Sequence, residues 1–328
     1  MEHVIALDVG GTGMKGALVD AEGEVSHRAR RHTPRGRGAP AVVAAILDFA
    51  GELAALGADR FGSPARAAGV AVPGIVDERT GNAVHSANLG WRDVPLGRLL
   101  GDRLAGIPVA VGHDVRAGGL AEGRIGAGRG SPRHLFVALG TGIAAAVGVD
   151  GRVEAGAHGR AGEMGHLVVR PGGAACPCGG RGCLERYASA AAVGAAWAGS
   201  GGGPGADAAD CAAAVEAGDT RAALVWADAV DALADGLVAA ITLLDPGRVV
   251  VGGGLAESGE TLLGPLRSAL GRRVTFQRTP EIVPATLGDT AGCLGAGLLA
   301  WDLLTGAPTP GRPASATPTP SPTTPVIV

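Results

Sequence analysis

Val4-Ile-Ala-Leu-Asp8-Val-Gly10-Gly11-Thr12-Gly13-Met-Lys15-Gly16-Ala17-Leu-Val19-Asp20-Ala-Glu-Gly23 opens the chain, and how this stretch folds decides the architecture. Val4 to Val9 is an apolar run of strand length that ends in glycines. Ala17 to Val19 resumes the run, and Asp20 to Gly23 is a turn from which Glu24 to Arg30 can return as a third strand. The same order recurs further on: Leu135 to Leu139, Gly140-Thr141-Gly142, Ile143 to Val149, an Asp150-Gly151 turn, then Arg152-Val153. Two copies of strand, glycine loop, strand, tight turn, strand predict a duplicated fold.

Between and after the copies lie helical patterns at Ala41 to Leu56, Leu96 to Leu104, Val115 to Ile125, Ala222 to Leu244 and Ser258 to Leu270. They alternate with strand-like runs at Ala67 to Val72, Val109 to Val111 and Arg248 to Val251, which reads as α/β. The 328 residues exceed one ordinary core, so two lobes are expected. Residues are 46% hydrophobic but only 3% aromatic, so Val, Leu, Ile and Ala must pack the interior. Ser200 to Gly205 reads as a Gly-rich surface loop. From Gly306 a Pro/Thr/Ser-rich tail, 306–328, has too little apolar surface to order itself.

A net charge of -3 argues against a nucleic-acid partner, which needs a basic face. The local exception, Arg28 to Arg37, reads as a solvated strand edge and loop. No basic leader precedes Val4 and no apolar stretch approaches membrane-spanning length, so the expectation is a cytoplasmic protein with no membrane partner. Five cysteines, three of them within Cys176 to Cys183, fit a metal loop better than a secreted disulfide scaffold.

Gly11-Thr-Gly13-Met-Lys-Gly16 matches the G-x-G-x-x-G of dinucleotide-binding proteins. That fingerprint must open a helix, however, and here the residues that follow read as strand, turn, strand. The other reading puts Asp8-x-Gly-Gly-Thr in a hairpin turn, where unhindered backbone N–H groups approach phosphate oxygens and a strand-end carboxylate organises Mg²⁺. Gly140-Thr141-Gly142 then faces it from the second copy. No Walker A sequence occurs.

Cys176-Pro-Cys178-Gly-Gly-Arg-Gly-Cys183 brings three thiolate donors onto one loop whose glycines allow tight wrapping. A tetrahedral zinc site needs a fourth ligand, and His166, in Glu163-Met-Gly-His166, is the nearest suitable one. Four protein ligands leave no open position for water, so such a zinc is structural. Asp114, between an apolar strand and a helical pattern, reads from spacing alone as a helix N-cap.

From Ile5 to about Leu304 the chain resembles the ROK family of sugar kinases and related repressors, and within it the bacterial glucokinases. The motifs that carry the resemblance are Asp8-x-Gly-Gly-Thr, Val72-Pro-Gly-Ile-Val-Asp77, Asn88-Leu-Gly-Trp91, Ala121-Glu-Gly-Arg-Ile-Gly-Ala-Gly, Glu163-x-Gly-His and Cys-x-Cys-Gly-x-x-Gly-Cys-x-Glu185. The resemblance implies the duplicated actin-like (ribonuclease H-like) ATPase fold with a cleft between the lobes. The small lobe would span residues 1–112 plus the final helix at about 290–305, and the large lobe residues 113–289.

It also implies ATP-dependent phosphorylation of a hexose, glucose first and an N-acetylhexosamine second, by a homodimer or higher homo-oligomer. Asp8, Gly10, Gly11, Thr12, Thr141 and Gly142 would surround the ATP phosphates and Mg²⁺, with Lys15 either reaching a phosphate or solvated. Gly253 and Gly254, in Val250-Val-Gly-Gly-Gly254, would approach the adenosine. Asp114 would be the base, while Asn88, Glu163, His166 and Glu185 would hold the sugar, His166 also ligating zinc with Cys176, Cys178 and Cys183. The family usually has Asn on either side of the base, immediately before it and two residues after, where this chain has His113 and Arg116. His113 can still bond a sugar hydroxyl, and Arg116 would meet a charged group of the substrate or pair with a carboxylate. Two non-kinase readings stay beside this one: a sugar-responsive regulator, whose DNA-binding segment would precede the first strand, and a sugar-binding protein that has lost transfer.

Overall fold

The computed structural model describes residues 2–306, so most of the tail expected to be disordered lies outside the described residues. The first half runs β1 (Val4–Val9), β2 (Gly13–Val19), β3 (Val25–His32), α1 (Ala39–Phe61), β4 (Ala68–Val72), β5 (Ile75–Asp77), β6 (Asn82–Ser86), β7 (Trp91–Val94), α2 (Leu96–Arg103) and β8 (Val109–His113). The second half runs α3 (Asp114–Ile125), β9 (Arg133–Leu139), β10 (Ile143–Val149), β11 (Arg152–Val153), α4 (Glu185–Ala188), α5 (Ala190–Trp197), α6 (Ala208–Glu216), α7 (Thr220–Leu244), β12 (Arg248–Gly252), α8 (Glu260–Gly271), β13 (Glu281–Pro284) and α9 (Ala291–Thr305).

Two five-stranded sheets have orders β3-β2-β1-β4-β8 and β11-β10-β9-β12-β13. Each is an antiparallel meander to which two parallel strands are added on the same side, so the repeat read from the sequence is a repeat of topology. The Arg28–Arg37 stretch falls on the edge strand β3 and the turn after it, where Arg30 pairs with Asp289 and Arg31 with Glu52.

Side chains of β1 alternate between two cores, as the period of a strand requires. Ile5, Leu7 and Val9 pack with Val42, Ile46, Phe49 and Leu53 of α1. Val4 and Ala6 face α9 with Cys293, Ala296, Leu299 and Ala300, in a cluster that also takes Ala117 and Leu120 of α3 and Phe136 and Val250 of the second sheet. Helices α3 and α9 thus lie between the sheets at close range. A Cβ on Gly69 would overlap the Ala296 carbonyl, and one on Gly295 the Ala117 carbonyl. That closeness gives a physical reason for an interior built on Ala and Gly.

Four readings change. Helix α1, at 23 residues, does reach membrane-spanning length and apolarity. Its Val42-Ile46-Phe49-Leu53 stripe is buried in the core of the first half, each large side chain contributing on the order of 2 kcal/mol by its burial. The loop expected at Ser200 to Gly205 begins inside a π-helical turn, Ala198–Gly202. Strands β5, β6 and β7 form a separate three-stranded sheet that the periodicity did not reveal. Asp114 is not the N-cap of α3: His113 is, its ring accepting the Arg116 N–H, and Asp114 is the first helical residue.

Candidate active site

The two glycine loops are the turns of equivalent hairpins. Asp8 pairs with Lys15 across β1 and β2, and the turn between them closes with Gly10 N–H donating to the Gly13 carbonyl at 2.8 Å. Thr33, buried and absent from the sequence reading, donates its hydroxyl to the Gly10 carbonyl at 2.7 Å and holds the turn in place. In the second copy Gly140 N–H donates to the Gly142 carbonyl at 2.9 Å. Gly253, with φ 87°, brings the third glycine loop against the end of β9: a Cβ there would sit 2.5 Å from the Leu139 carbonyl oxygen. Thr12 and Thr141 are exposed at the tips of their turns.

Beside Gly254 a cavity of about 320 Å³ opens between α6 and the following 3-10 turn, lined by Ala208, Ala209, Ala212, Ala213, Leu255 and Ser258. This wall has no signal in the sequence, because small alanines on a short helix carry no chemical signature.

Lys15 is partly exposed and paired. Its ammonium lies 3.5 Å from Asp8 Oδ2 and donates to the Asp289 carbonyl. Burial pushes the Asp8 carboxyl up to about 6; the nearby Asp114 carboxylate adds to the shift and Lys15 opposes it. A divalent cation would relieve this crowding of negative charge, so the donor chemistry at Asp8 suits Mg²⁺.

At the head of α3, Asp114 Oδ1 accepts the Val115 N–H at 2.7 Å and lies 3.4 Å from His113 Nε2. Burial raises its pKa, while the Val115 N–H and the Arg116 charge act against the rise. His113 is pushed down to about 4, chiefly by burial and then by Arg116, with Glu163 opposing, and it is neutral near pH 7. Asn88 stands over the first glycine loop, its Cβ 3.9 Å from where one on Gly11 would be. Glu185 is tied to the second loop: its Oε2 accepts the Ile143 N–H at 2.9 Å, and a Cβ on Gly142 would come within 2.5 Å of it.

The ligand atoms of His166, Cys176, Cys178 and Cys183 all lie within 4.8 Å of one another. His166 Nδ1 is 3.7 Å from Cys176 Sγ, and Cys178 Sγ is 3.7 Å from Cys183 Sγ. A tetrahedral zinc with bonds near 2.0–2.3 Å needs ligand atoms roughly 3.5–3.8 Å apart, so the residues fit the metal. The other ring nitrogen of His166, Nε2, faces Glu163 Oε2 at 3.9 Å. Cys183 is two residues from Glu185, which links the metal loop to the second glycine loop.

The structure therefore gathers the sequence-derived residues into one region. It also adds Glu122, fully buried at 0% exposure on α3, whose carboxylate accepts the N–H groups of Ala127, Thr286 and Leu287 at 2.8, 3.0 and 2.8 Å. This pins α3 to the segment that carries Asp289 to Lys15. Its sequence signal was the Ala121-Glu-Gly-Arg stretch, quoted for its resemblance alone.

The sequence pattern of the ROK family matches residues 4–302. The glucokinase of Thermotoga maritima is 34% identical over 309 residues, covering 89% of this chain and 95% of its own. The crystal structure of a ROK hexokinase from Thermus thermophilus has a TM-score of 0.82 at 33% identity, over 93% of this chain and 99% of its own. A ROK family glucokinase from Streptomyces griseus, in complex with glucose and AMPPNP, has a TM-score of 0.75 at 31% identity, over 92% of this chain and 99% of its own.

Proposed function

The chain belongs to the ROK family, and from that premise we propose that it transfers the γ-phosphoryl group of ATP to a hydroxyl of glucose. The observation that carries this reading is the conjunction of three features: two equivalent glycine turns, a half-buried aspartate at the first of them, Asp8, and a second carboxylate, Asp114, close enough to raise the pKa of Asp8. A phosphate chain needs the first two and an alcohol acceptor needs the third.

The residues divide the work as follows. Gly10, Gly11, Thr12, Thr141 and Gly142 present backbone and hydroxyl groups to the phosphates, and the cavity beside Gly254 takes the adenosine. Asp8 holds Mg²⁺, which when bound neutralises the phosphate oxygens. Asn88, Glu163, His166 and Glu185 bind the sugar hydroxyls, with His113 beside them. Asp114 accepts the proton of the attacking hydroxyl as its oxygen bonds to phosphorus and ADP leaves. His166, Cys176, Cys178 and Cys183 would hold a structural zinc, which would fix the loop carrying His166 and Glu185 and leave the transfer to the residues above. ATP as donor puts the reaction in the cytoplasm.

Closure of the lobes keeps water from competing with the sugar. The residue at position 113 bears most on the choice of hexose, because an imidazole is larger than the amide usual in the family and donates from one nitrogen only. The test is kcat/KM from ADP release with glucose, mannose, fructose, N-acetylglucosamine, N-acetylmannosamine and no sugar. Glucose is expected to give the highest value. An N-acetylhexosamine preferred over glucose would keep the mechanism and replace the substrate, and a rate with glucose equal to the sugar-free rate would remove the reading.

A further inference from the structure

Arg116 and Glu78 take no part in the chemistry above, yet both are buried beside it, with side chains 3% and 7% exposed. Arg116 sits two residues past Asp114, and Glu78 follows β5. The guanidinium Nε and Nη2 both lie 2.8 Å from Glu78 Oε1, while Nη1 donates to the Gly159 carbonyl at 3.2 Å. Gly159 belongs to the loop that leads from β11 to Glu163. This loop lies flat on β5, because a Cβ on Gly159 would come 2.6 Å from the Val76 carbonyl oxygen. One side chain thus joins the three-stranded sheet of the first half, helix α3, and a loop of the second half.

The backbone N–H of the same residue holds the ring of His113. The Arg116 N–H donates to His113 Nδ1 at 3.4 Å, which leaves the ring proton on Nε2, and Nε2 faces Asp114 Oδ1 at 3.4 Å. Glu78 Oε1 in turn accepts the His113 N–H at 3.5 Å. A buried ion pair contributes little net stability compared with two apolar side chains of the same volume, because both charges must leave water. What it does supply is direction, since the planar fork of an arginine holds its partners at set angles.

We infer that Arg116 is a positioning residue: by gripping Glu78 and the Gly159 carbonyl together it orients His113, and through His113 sets Asp114 between the two walls of the cleft. The inference rests on the kinase reading above. The charged and titratable groups around Asp114 are His113 and Arg116 from β8 and α3, Glu78 after β5 behind them, and Asp8 with its partner Lys15 from β1 and β2; Glu163, from the loop opposite, faces His113. With Arg116 replaced by a neutral side chain, burial acts on Asp114 with less opposition, so the base ionises at higher pH.

The test compares the full-length zinc-loaded protein with the double variant Glu78→Leu/Arg116→Met, which replaces the pair by apolar side chains and strands no buried charge. The expected result is a melting temperature close to the parent's and kcat lower by on the order of a hundredfold, the cost of a misplaced catalytic group. KM for Mg-ATP is expected to hold, and the acid limb of the kcat profile to move to higher pH. A double variant that melts like the parent and keeps its kcat and pH profile overturns the inference, since the pair would then be packing alone.

If the double variant does not fold, Arg116→Lys decides. It keeps the charge but cannot hold Glu78 and Gly159 together, so kcat is expected to fall about tenfold with the acid limb unmoved, and an unchanged kcat overturns the inference. A parent protein silent with every hexose takes the kinase reading and this inference down together, and the parent control separates that failure from the other.

Discussion

Asp114→Asn is expected to lower kcat with glucose by about a thousandfold, within the range for loss of a general base, while the dissociation constant for glucose stays within a few-fold of the parent's. An asparagine keeps an acceptor oxygen for the Val115 N–H, so the head of α3 keeps its geometry and only the ability to take a proton is lost. The pH dependence carries a second check. The carboxyl of Asp114 is raised by burial, so the base is lost as pH falls through its elevated pKa, and the parent's kcat should decline on the acid side at a higher pH than an exposed aspartate would give. The residual rate of Asp114→Asn should lack that limb. Full activity in the variant would move the base role elsewhere, and Asp8, the carboxylate whose pKa Asp114 raises, would be the first place to look.

Cys178→Ser is expected to lose the metal and, with it, both substrates' sites. Three remaining ligands hold zinc far less tightly, and a structural zinc contributes its binding free energy to folding. Even a few kcal/mol of lost stability lowers the melting temperature of a domain this size by roughly 10 °C. The consequence runs beyond the sugar because Cys183 and Glu185 are neighbours, and Glu185 ties the metal loop to the Ile143 N–H beside Gly142. KM should therefore rise for Mg-ATP as well as for glucose. Metal content by elemental analysis, thermal melting and steady-state kinetics on one preparation read all three. A metal-free variant with the parent's melting temperature and kinetics would mean that the four residues hold nothing of consequence.

How much of this was legible in the sequence depended on whether a residue signals locally. The hairpin turns at Gly10–Gly13 and Gly140–Gly142 were legible because two apolar runs flank a glycine pair in each. The metal cluster was legible because three cysteines in eight residues have few other uses. Helix α3 and its start near Asp114 followed from periodicity, but the choice of His113 rather than Asp114 as cap did not: aspartate has the stronger propensity, and the ring of His113 happens to point back at the Arg116 N–H.

Strands β5, β6 and β7, of three to five residues each, are too short for alternation to register. The Glu78–Arg116 and Arg124–Asp302 pairs, separated by 38 and 178 positions, exist only once the chain is folded. The tight crossing of α3 and α9 appears in the sequence merely as glycine and alanine in excess. Lys15 shows the same limit, since only the register of β1 with β2 sets it opposite Asp8 and only the fold brings Asp289 to it.

The central claim, phosphoryl transfer from ATP to a hexose hydroxyl, is tested most directly by ³¹P NMR of the purified protein with Mg-ATP and glucose, read against a sample without sugar. The expected result is a sugar phosphomonoester and ADP appearing in equal amounts, only when glucose is present. ADP matched by inorganic phosphate with or without glucose, or an unchanged ATP spectrum from protein that holds zinc and binds the nucleotide, would contradict it.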